Sequence, residues 1–275
     1  MIQRIAAAGI VLALIAAAVR NMNWYRTKTA FIGLKRLATL SEEDKQASID
    51  AYKFLQRMQD GEETETADET KATFFVPGWT ADNYTDAIAQ CAKRGHEVAH
   101  HGYHHVPPTS FANAEEEREE LERGIEAIEK ATGMRPVGYR SPAWELSPHT
   151  LGLLGGLEFS YSSNMMDADG PYEHKLDGNA GAAGLVELPV SWTLDDYPFF
   201  MARPERTAGE VEEIWRDEFD ALREREDAAF VLTMHPQIIG RPGRLAMLDN
   251  LIAYIRHSGD AELLRCDELA SQTRA

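Results

Sequence analysis

Apolar and polar positions fall into a steady rhythm only after about residue 70, and that rhythm predicts alternating strands and helices. Short apolar runs occupy residues 72–77, 98–100, 137–140, 159–162, 185–190 and 229–234. Each is bounded by Gly, Pro or polar clusters, the pattern of a short buried strand. Between them lie segments of helical period with their own start and stop signals. Thr80 opens one that ends at Gly95, and Asn113 with Glu116 opens another that ends at Gly133. Ser147-Pro148 starts a third, with proline at the favoured first helical position. Thr207 and Glu210 frame a fourth, and residues 245–255, apolar at Leu245, Leu248, Leu251, Ile252 and Ile255, form the last. Such alternation implies an α/β protein with a parallel sheet and helices outside, doubly wound or closed into a barrel.

The first 70 residues break this rhythm. Residues 5–19 are an unbroken run of apolar residues and Gly, with Arg4 before it and Arg20, Arg26 and Lys28 after. A spanning helix needs ~20 apolar residues, so this run suits the core of a signal peptide, with Ala16-Ala17-Ala18 as a cleavage site. A membrane anchor and a mis-called start are the alternatives; export or anchoring follows from the first two readings, a cytoplasmic protein otherwise. Residues 41–60 have a helical pattern, with Ser41 and Asp44 as a capping box and Ile49, Tyr52, Leu55 and Met58 on one face. Residues 61–70 are an acidic loop. The division expected is a signal-like or anchor segment over 1–20, an atypical helical and acidic region over 21–70, and the alternating domain over 71–275.

Charge narrows the partners. The net charge of −17 leaves no basic stripe for phosphates, which excludes nucleic acid. Much of the acid sits in helical runs such as 115–122, read as solvated faces. Of the two cysteines, Cys91 is in register with Tyr84, Ala87 and Ile88 as a small core residue, and with Cys266 it forms no framework. Oligomeric state is not set by any of these features.

Candidate chemistry concentrates at residues 99–105, A-H-H-G-Y-H-H. Imidazole is the commonest protein metal ligand near neutral pH, and His101 and His105 have the i, i+4 spacing that puts two rings on one face. A solvent-facing polar turn is the alternative use of such a tract. Arg140 ends the third strand-like run, Asp195-Asp196 follows the fifth, and His235 ends the sixth. The carboxyl ends of parallel strands converge on one face, so these residues would share a mouth.

Five motifs then appear in order: K-A-T-F-F-V-P-G-W at 71–79, G-H-E-V-A-H-H-G-Y-H-H at 95–105, Y-R-S-P at 139–142, E-L-P-V-S-W-T-L-D-D at 187–196 and T-M-H-P-Q at 233–237. With them, residues 72–269 resemble the polysaccharide deacetylase family (the NodB-homology, carbohydrate esterase 4 fold), closest to its peptidoglycan-deacetylase-like branch. The resemblance implies a distorted (β/α) barrel with an incomplete or atypical first βα unit. It implies that His101 and His105 hold zinc or another divalent transition metal. Arg140 would orient a catalytic carboxylate, and the backbone N–H of Ala143 would help stabilise the oxyanion. His235 would be the general acid, tuned by Asp196 with Asp195 as close competitor. Trp144, Trp192 and Tyr103 are candidate apolar walls for a sugar ring, with packing as the alternative for each.

One departure stands out. The family's first motif is an Asp-Asp pair after the first strand, one a base and one the third metal ligand, and residues 1–40 contain no Asp or Glu. Asp44, Asp50, Asp60 and Asp68 precede Lys71, all in helix-like or loop-like settings. The expected function is metal-dependent hydrolysis of a C–N amide bond in a glycan or small amide substrate, first of all N-deacetylation of an amino sugar. The alternatives are an allantoinase-like cyclic amide or imide hydrolase, and a non-catalytic carbohydrate-binding relic that lacks the first motif.

Overall fold

The computed structural model describes residues 70–175 and 184–274, and the backbone alone of residues 8–15. Among the described residues nine strands form one sheet: β1 (Ala8–Ile15), β2 (Thr73–Val76), β3 (Glu97–His100), β4 (Gly138–Tyr139), β5 (Tyr161–Ser162), β6 (Tyr172–Glu173), β7 (Val186–Glu187), β8 (Ala229–Met234) and β9 (Ala261–Leu264). Their order is β6-β7-β5-β4-β3-β2-β1-β8, with β9 against β1, and every pairing except β6–β7 is parallel. Strands β2, β3 and β8 are buried at every position; β2 and β8 accordingly read in sequence as mostly apolar runs, while β3 buries Glu97 and His100 at its two ends.

The helices are α1 (Gly78–Asn83), α2 (Thr85–Lys93), α3 (Ala114–Thr132), α4 (Thr150–Gly156), α5 (Asp196–Met201), α6 (Ala208–Arg223), α7 (Pro236–Ile239), α8 (Pro242–Ser258) and α9 (Cys266–Thr273). Local chemistry sets several of their ends. Asn113 caps α3 by accepting from Glu115 and Glu116, and Gly133, at φ 75, closes it with a bond to Glu129 O. Thr207 and Glu210 form the reciprocal capping box of α6.

Two expected helices differ. The segment from Thr80 to Gly95 is broken into α1 and α2 at Tyr84, whose φ of −130 and ψ of 43 are non-helical. The third begins at Thr150, not at Pro148, because the Ser147 hydroxyl is engaged by Glu117 at 2.5 Å and accepts from His149 N. β9 and α9 were not anticipated. β9 alternates partial exposure over only four residues, too short a pattern to register as a run.

The N-terminal run also has a place in the sheet. The run expected as a signal-like or anchor segment supplies β1, which lies inside the sheet of the 71–275 domain. One edge of β1 pairs with β8 over 9–14, and the other is shared by β9 over 8–11 and β2 over 13–15. An apolar run of this length fits a parallel strand buried on both faces as well as it fits a signal core. The first strand is therefore present, and what the sequence lacks is acid directly after it. The helix expected at 41–60, the loop at 61–69, and Asp44, Asp50, Asp60 and Asp68 lie outside the described residues. Among the described residues no helix is long and apolar enough to cross a membrane.

Packing separates an inside from an outside. Phe75, Ala99, Tyr161, Val186, Ala229 and Val231 form one cluster with Cys266, Leu269 and Ala270 of α9, the inner side of the sheet. Their strand neighbours Phe74, Val76, Val98, Phe230, Leu232 and Met234 pack outward against the helices. A single bridge, Asp195 with Thr233, joins the chain beyond β7 to β8 across the seam. The described pairings otherwise leave the ladder open.

Candidate active site

Strand parity decides which side chains enter the site, because successive side chains face opposite sides. In β3 Ala99 faces inward, so His101 follows it inside while His100 faces the helices. His100 Nδ1 accepts from Gly102 N at 3.1 Å, so Nε2 is the donor to Leu121 O at 3.0 Å. Its ring fills a notch in α3 at Gly124, where a Cβ would lie 2.1 Å from His100 Nε2. Burial pushes the His100 imidazole down to about 4. The same alternation sends Arg140, Thr233 and His235 inward, past Tyr139, Leu232 and Met234 on the outer side.

His101 is 1% exposed and its Nδ1 lies 2.5 Å from Arg140 O. A carbonyl only accepts, so Nδ1 carries the proton and Nε2 the lone pair. That Nε2 is buried with no hydrogen-bond partner. Burial first, and then the neighbouring His105, hold the His101 imidazole well below its ordinary value, so it is neutral at pH 7. The His105 ring lies 4.9 Å from the His101 ring, on a residue with φ 57 that follows the turn at Gly102. A bare, neutral, buried nitrogen beside a second imidazole fits two donors to a divalent transition metal. Among the described residues no carboxylate joins them, because the single group of three metal-capable side chains is Asp195, Asp196 and His235.

His235 ends β8 and leads into α7. Its Nδ1 lies 2.6 Å from Asp196 Oδ1 and its backbone N donates to Asp196 Oδ2 at 3.0 Å. The distance to Asp195 Oδ1 is 3.9 Å. Asp195 instead caps α5, accepting from Tyr197 N at 2.6 Å. Of the two sequence candidates, Asp196 holds the histidine. Burial pulls the His235 imidazole down, but the charge and hydrogen bond of Asp196, with the charge of Asp195, outweigh it and raise it above its ordinary value. Burial pushes Asp195 up to about 6, although His235 and Arg140 pull the other way.

Arg140 is fully buried. Its Nε donates to Ser163 O at 3.2 Å, Nη1 to Thr233 Oγ1 at 3.1 Å and Nη2 to Ser163 Oγ at 2.6 Å. Its guanidinium also lies 4.3 Å from the Phe75 ring centre. Its hydrogen bonds run to a carbonyl and two hydroxyls, not to a carboxylate. The turn after it carries Ala143 at φ 59 and Trp144 at φ 56, two consecutive left-handed residues without glycine. Ala143 is exposed while Trp144 is buried, and the Trp144 ring lies 4.5 Å from that of Trp192, which is 51% exposed.

Tyr103 is not a wall of this site. It is 4% exposed, its hydroxyl donates to Asp82 at 3.0 Å, and Arg123 lies 3.7 Å from its ring centre. A Cβ on Gly78 would sit 2.5 Å from its ring. It packs α1 against α3 because the loop is pinned there by Glu120, which accepts from Tyr103 N, His104 N and His104 Nδ1. Sequence reading missed Thr233, Ser163 and Asn164, which hold Arg140 and the following turn. The signal was the polar run Ser162-Ser163-Asn164 at the carboxyl end of an apolar strand.

Fold and site together define an α/β protein of barrel type with a polar site at the carboxyl ends of its parallel strands. A family model described as polysaccharide deacetylase matches residues 66–161. A peptidoglycan deacetylase from Helicobacter pylori is 32% identical over 217 residues, covering 68% of this chain and 74% of that protein. A solved Mycobacterium smegmatis chain of polysaccharide deacetylase type is 33% identical, with a TM-score of 0.81 over 100% of this chain and 92% of its own. The chain belongs to the polysaccharide deacetylase family. The solved allantoinase PuuE is similar in fold, with a TM-score of 0.77 at 21% identity over 96% of this chain and 90% of its own.

Proposed function

We propose that this protein is a metal-dependent hydrolase of C–N amide bonds that removes the N-acetyl group from an amino sugar of a glycan, peptidoglycan being the first substrate class. The observation that carries the reading is the His235–Asp196 pair, 2.6 Å apart beside the His101–His105 pair. Held at Nδ1 by Asp196, His235 has Nε2 free to give its proton to the departing amine. Its raised proton affinity keeps it charged toward neutral pH. His101 and His105 would hold zinc or another divalent transition metal, which when bound polarises the amide carbonyl and acidifies a water. The backbone N–H of Ala143, an exposed residue in a left-handed turn, would meet the developing oxyanion. Trp144 and Trp192 offer apolar faces for a pyranose ring.

A second reading, a glycan-binding relic, is favoured by one observation: among the described residues no carboxylate accompanies His101 and His105. Catalytic zinc sites use three protein ligands and a water. The likeness to allantoinase is one of fold and adds no support for cyclic amides. Release of acetate and free amine from N-acetylated chitin oligomers and peptidoglycan fragments, with added Zn²⁺, tests the proposal. Binding without turnover would favour the relic.

A further inference from the structure

Behind the turn that carries Ala143 lies a row of buried polar groups that none of the roles above uses. Asn164 follows β5 and is 3% exposed. Its Oδ1 accepts the backbone N–H of Ser141 at 2.7 Å, and its Nδ2 donates to Ser162 Oγ at 2.9 Å. An N–H can meet only the amide oxygen, so chemistry fixes which way this side chain faces. Glu187, also fully buried, accepts from Asn164 N at 2.6 Å and Met165 N at 2.9 Å through one oxygen. Its other oxygen receives His174 Nε2 at 2.7 Å. The row therefore runs from Glu187 through Asn164 to the backbone of Ser141.

On the other side of Ser141 the chain is strained. Ala143 and Trp144 both have left-handed backbone, which L side chains adopt only when their surroundings over-determine it. The turn's own bonds are Trp144 N to Ser141 O at 3.1 Å and Ser141 Oγ to Glu145 O at 2.5 Å. Both involve Ser141, as does the bond from Ser141 Oγ to Pro142 O at 3.2 Å, and the far end of the turn is held by Thr109 Oγ1 donating to Glu145 at 2.7 Å. What fixes Ser141 relative to the sheet is the Arg140 anchorage before it and the bond from its own N–H to Asn164.

We propose that Asn164, held by Glu187, is a positioning residue of the active site: through Ser141 it aims the Ala143 N–H and seats the Trp144 ring. The kinetic side of this inference rests on the deacetylase reading, and the geometric side does not. Asn164→Leu keeps the volume and removes the acceptor, whereas Asn164→Asp keeps an oxygen toward Ser141. Both are tested in the full-length protein by two readouts. One is the part of the near-ultraviolet circular dichroism that Trp192→Phe abolishes, the signature of the Trp144–Trp192 pair. The other is kcat and KM on an N-acetylated chitin oligomer with Zn²⁺.

Asn164→Leu is expected to lose the tryptophan signature and ~10²-fold in kcat, the scale of one oxyanion donor, with a smaller change in KM. Asn164→Asp is expected to restore the signature and about tenfold of the kcat. Should the leucine variant fail to fold, Asn164→Ala removes the same acceptor and carries the same expectation. A folded variant without the acceptor that keeps the signature overturns the proposal. So does one with kcat within about threefold of wild type, or an aspartate variant no better than leucine. If the wild type itself releases no acetate, the deacetylase reading falls and the tryptophan signature alone judges Asn164.

Discussion

One carboxylate holds His235 twice: Asp196 Oδ1 lies 2.6 Å from its ring Nδ1, and Asp196 Oδ2 accepts its backbone N–H at 3.0 Å. Ring orientation and tautomer are therefore set by a group that is itself fully buried. Asp196→Asn keeps the shape and removes the charge. Without that charge, burial dominates and the imidazole falls toward lower pH. Activity that needs protonated His235 declines as pH rises through its pKa. The alkaline limb of the kcat/KM profile is expected at lower pH in the variant, and an unchanged limb would exclude this pairing. His235→Ala should lower kcat by ~10²–10⁴, the range for a general acid.

The same linkage has a stability side. Because the folded state raises the His235 pKa, the pair stabilises the protein fully below the ordinary histidine value of about 6.5. That contribution is lost as pH rises through the raised folded value. Denaturant midpoints of wild type and Asp196→Asn should therefore differ most at mildly acidic pH and converge toward alkaline pH. A gap that widens with pH would contradict the assignment.

Four adjacent histidines divide by what they touch. His100 and His104 are committed to Leu121 O and Glu120, while His101 Nε2 is bare. His101→Ala and His105→Ala should abolish binding of a divalent ion measured by calorimetry, and His104→Ala should leave it within a few-fold. Equal losses at His104 and His101 would show the donors to be misassigned. His100→Ala is expected to act on stability instead, by leaving the buried Gly102 N–H without its acceptor and a void against Gly124, at about 1–3 kcal/mol.

Two glycines give predictions of opposite sign. A Cβ on Gly138, in β4, would lie 1.9 Å from Tyr161 Cζ, and that ring is fully buried. Gly138→Ala should therefore destabilise by at least the ~1–3 kcal/mol of an overpacked core. A Cβ on Gly209, in the first turn of α6, meets nothing within 4 Å. Gly209→Ala should stabilise by roughly 0.5 kcal/mol through lost chain entropy in the unfolded state. Urea midpoints of the two variants decide both.

What could be read in the sequence was whatever local chemistry decides. β8 spans the residues its apolar run marked, and α3 and α6 begin at the caps that Asn113 and Thr207 announce. His101, His235, Asp196 and Arg140 were legible because each follows a strand. β1 was not, since a parallel strand and a signal core share one composition, and its pairing with β2, β8 and β9 is not written in the local sequence. Tyr103 was misjudged because proximity in sequence to His101 says nothing of the side it faces. The polar run ending at Asn164 marked a place but not a role for Asn164 and Glu187, as their partners lie 23 residues away or at a neighbouring strand's end.

The last prediction separates enzyme from relic. The carboxyl end of β1 lies between β2 and β8, with Ile15 in register with Phe75 and Leu14 in register with Met234, which precedes His235. The sequence directly after this strand is Ala16-Ala17-Ala18, with no acid. Two neutral imidazoles alone hold zinc poorly, and a bound water would lack a base. On the relic reading the chain would show very low turnover of N-acetylated oligomers while still binding them in a titration. Robust turnover would defeat the relic reading and require that Asp44, Asp50, Asp60 or Asp68 supplies the carboxylate. Alanine replacement of these four, one at a time, would then reveal the base as a single loss of ~10²-fold or more in kcat.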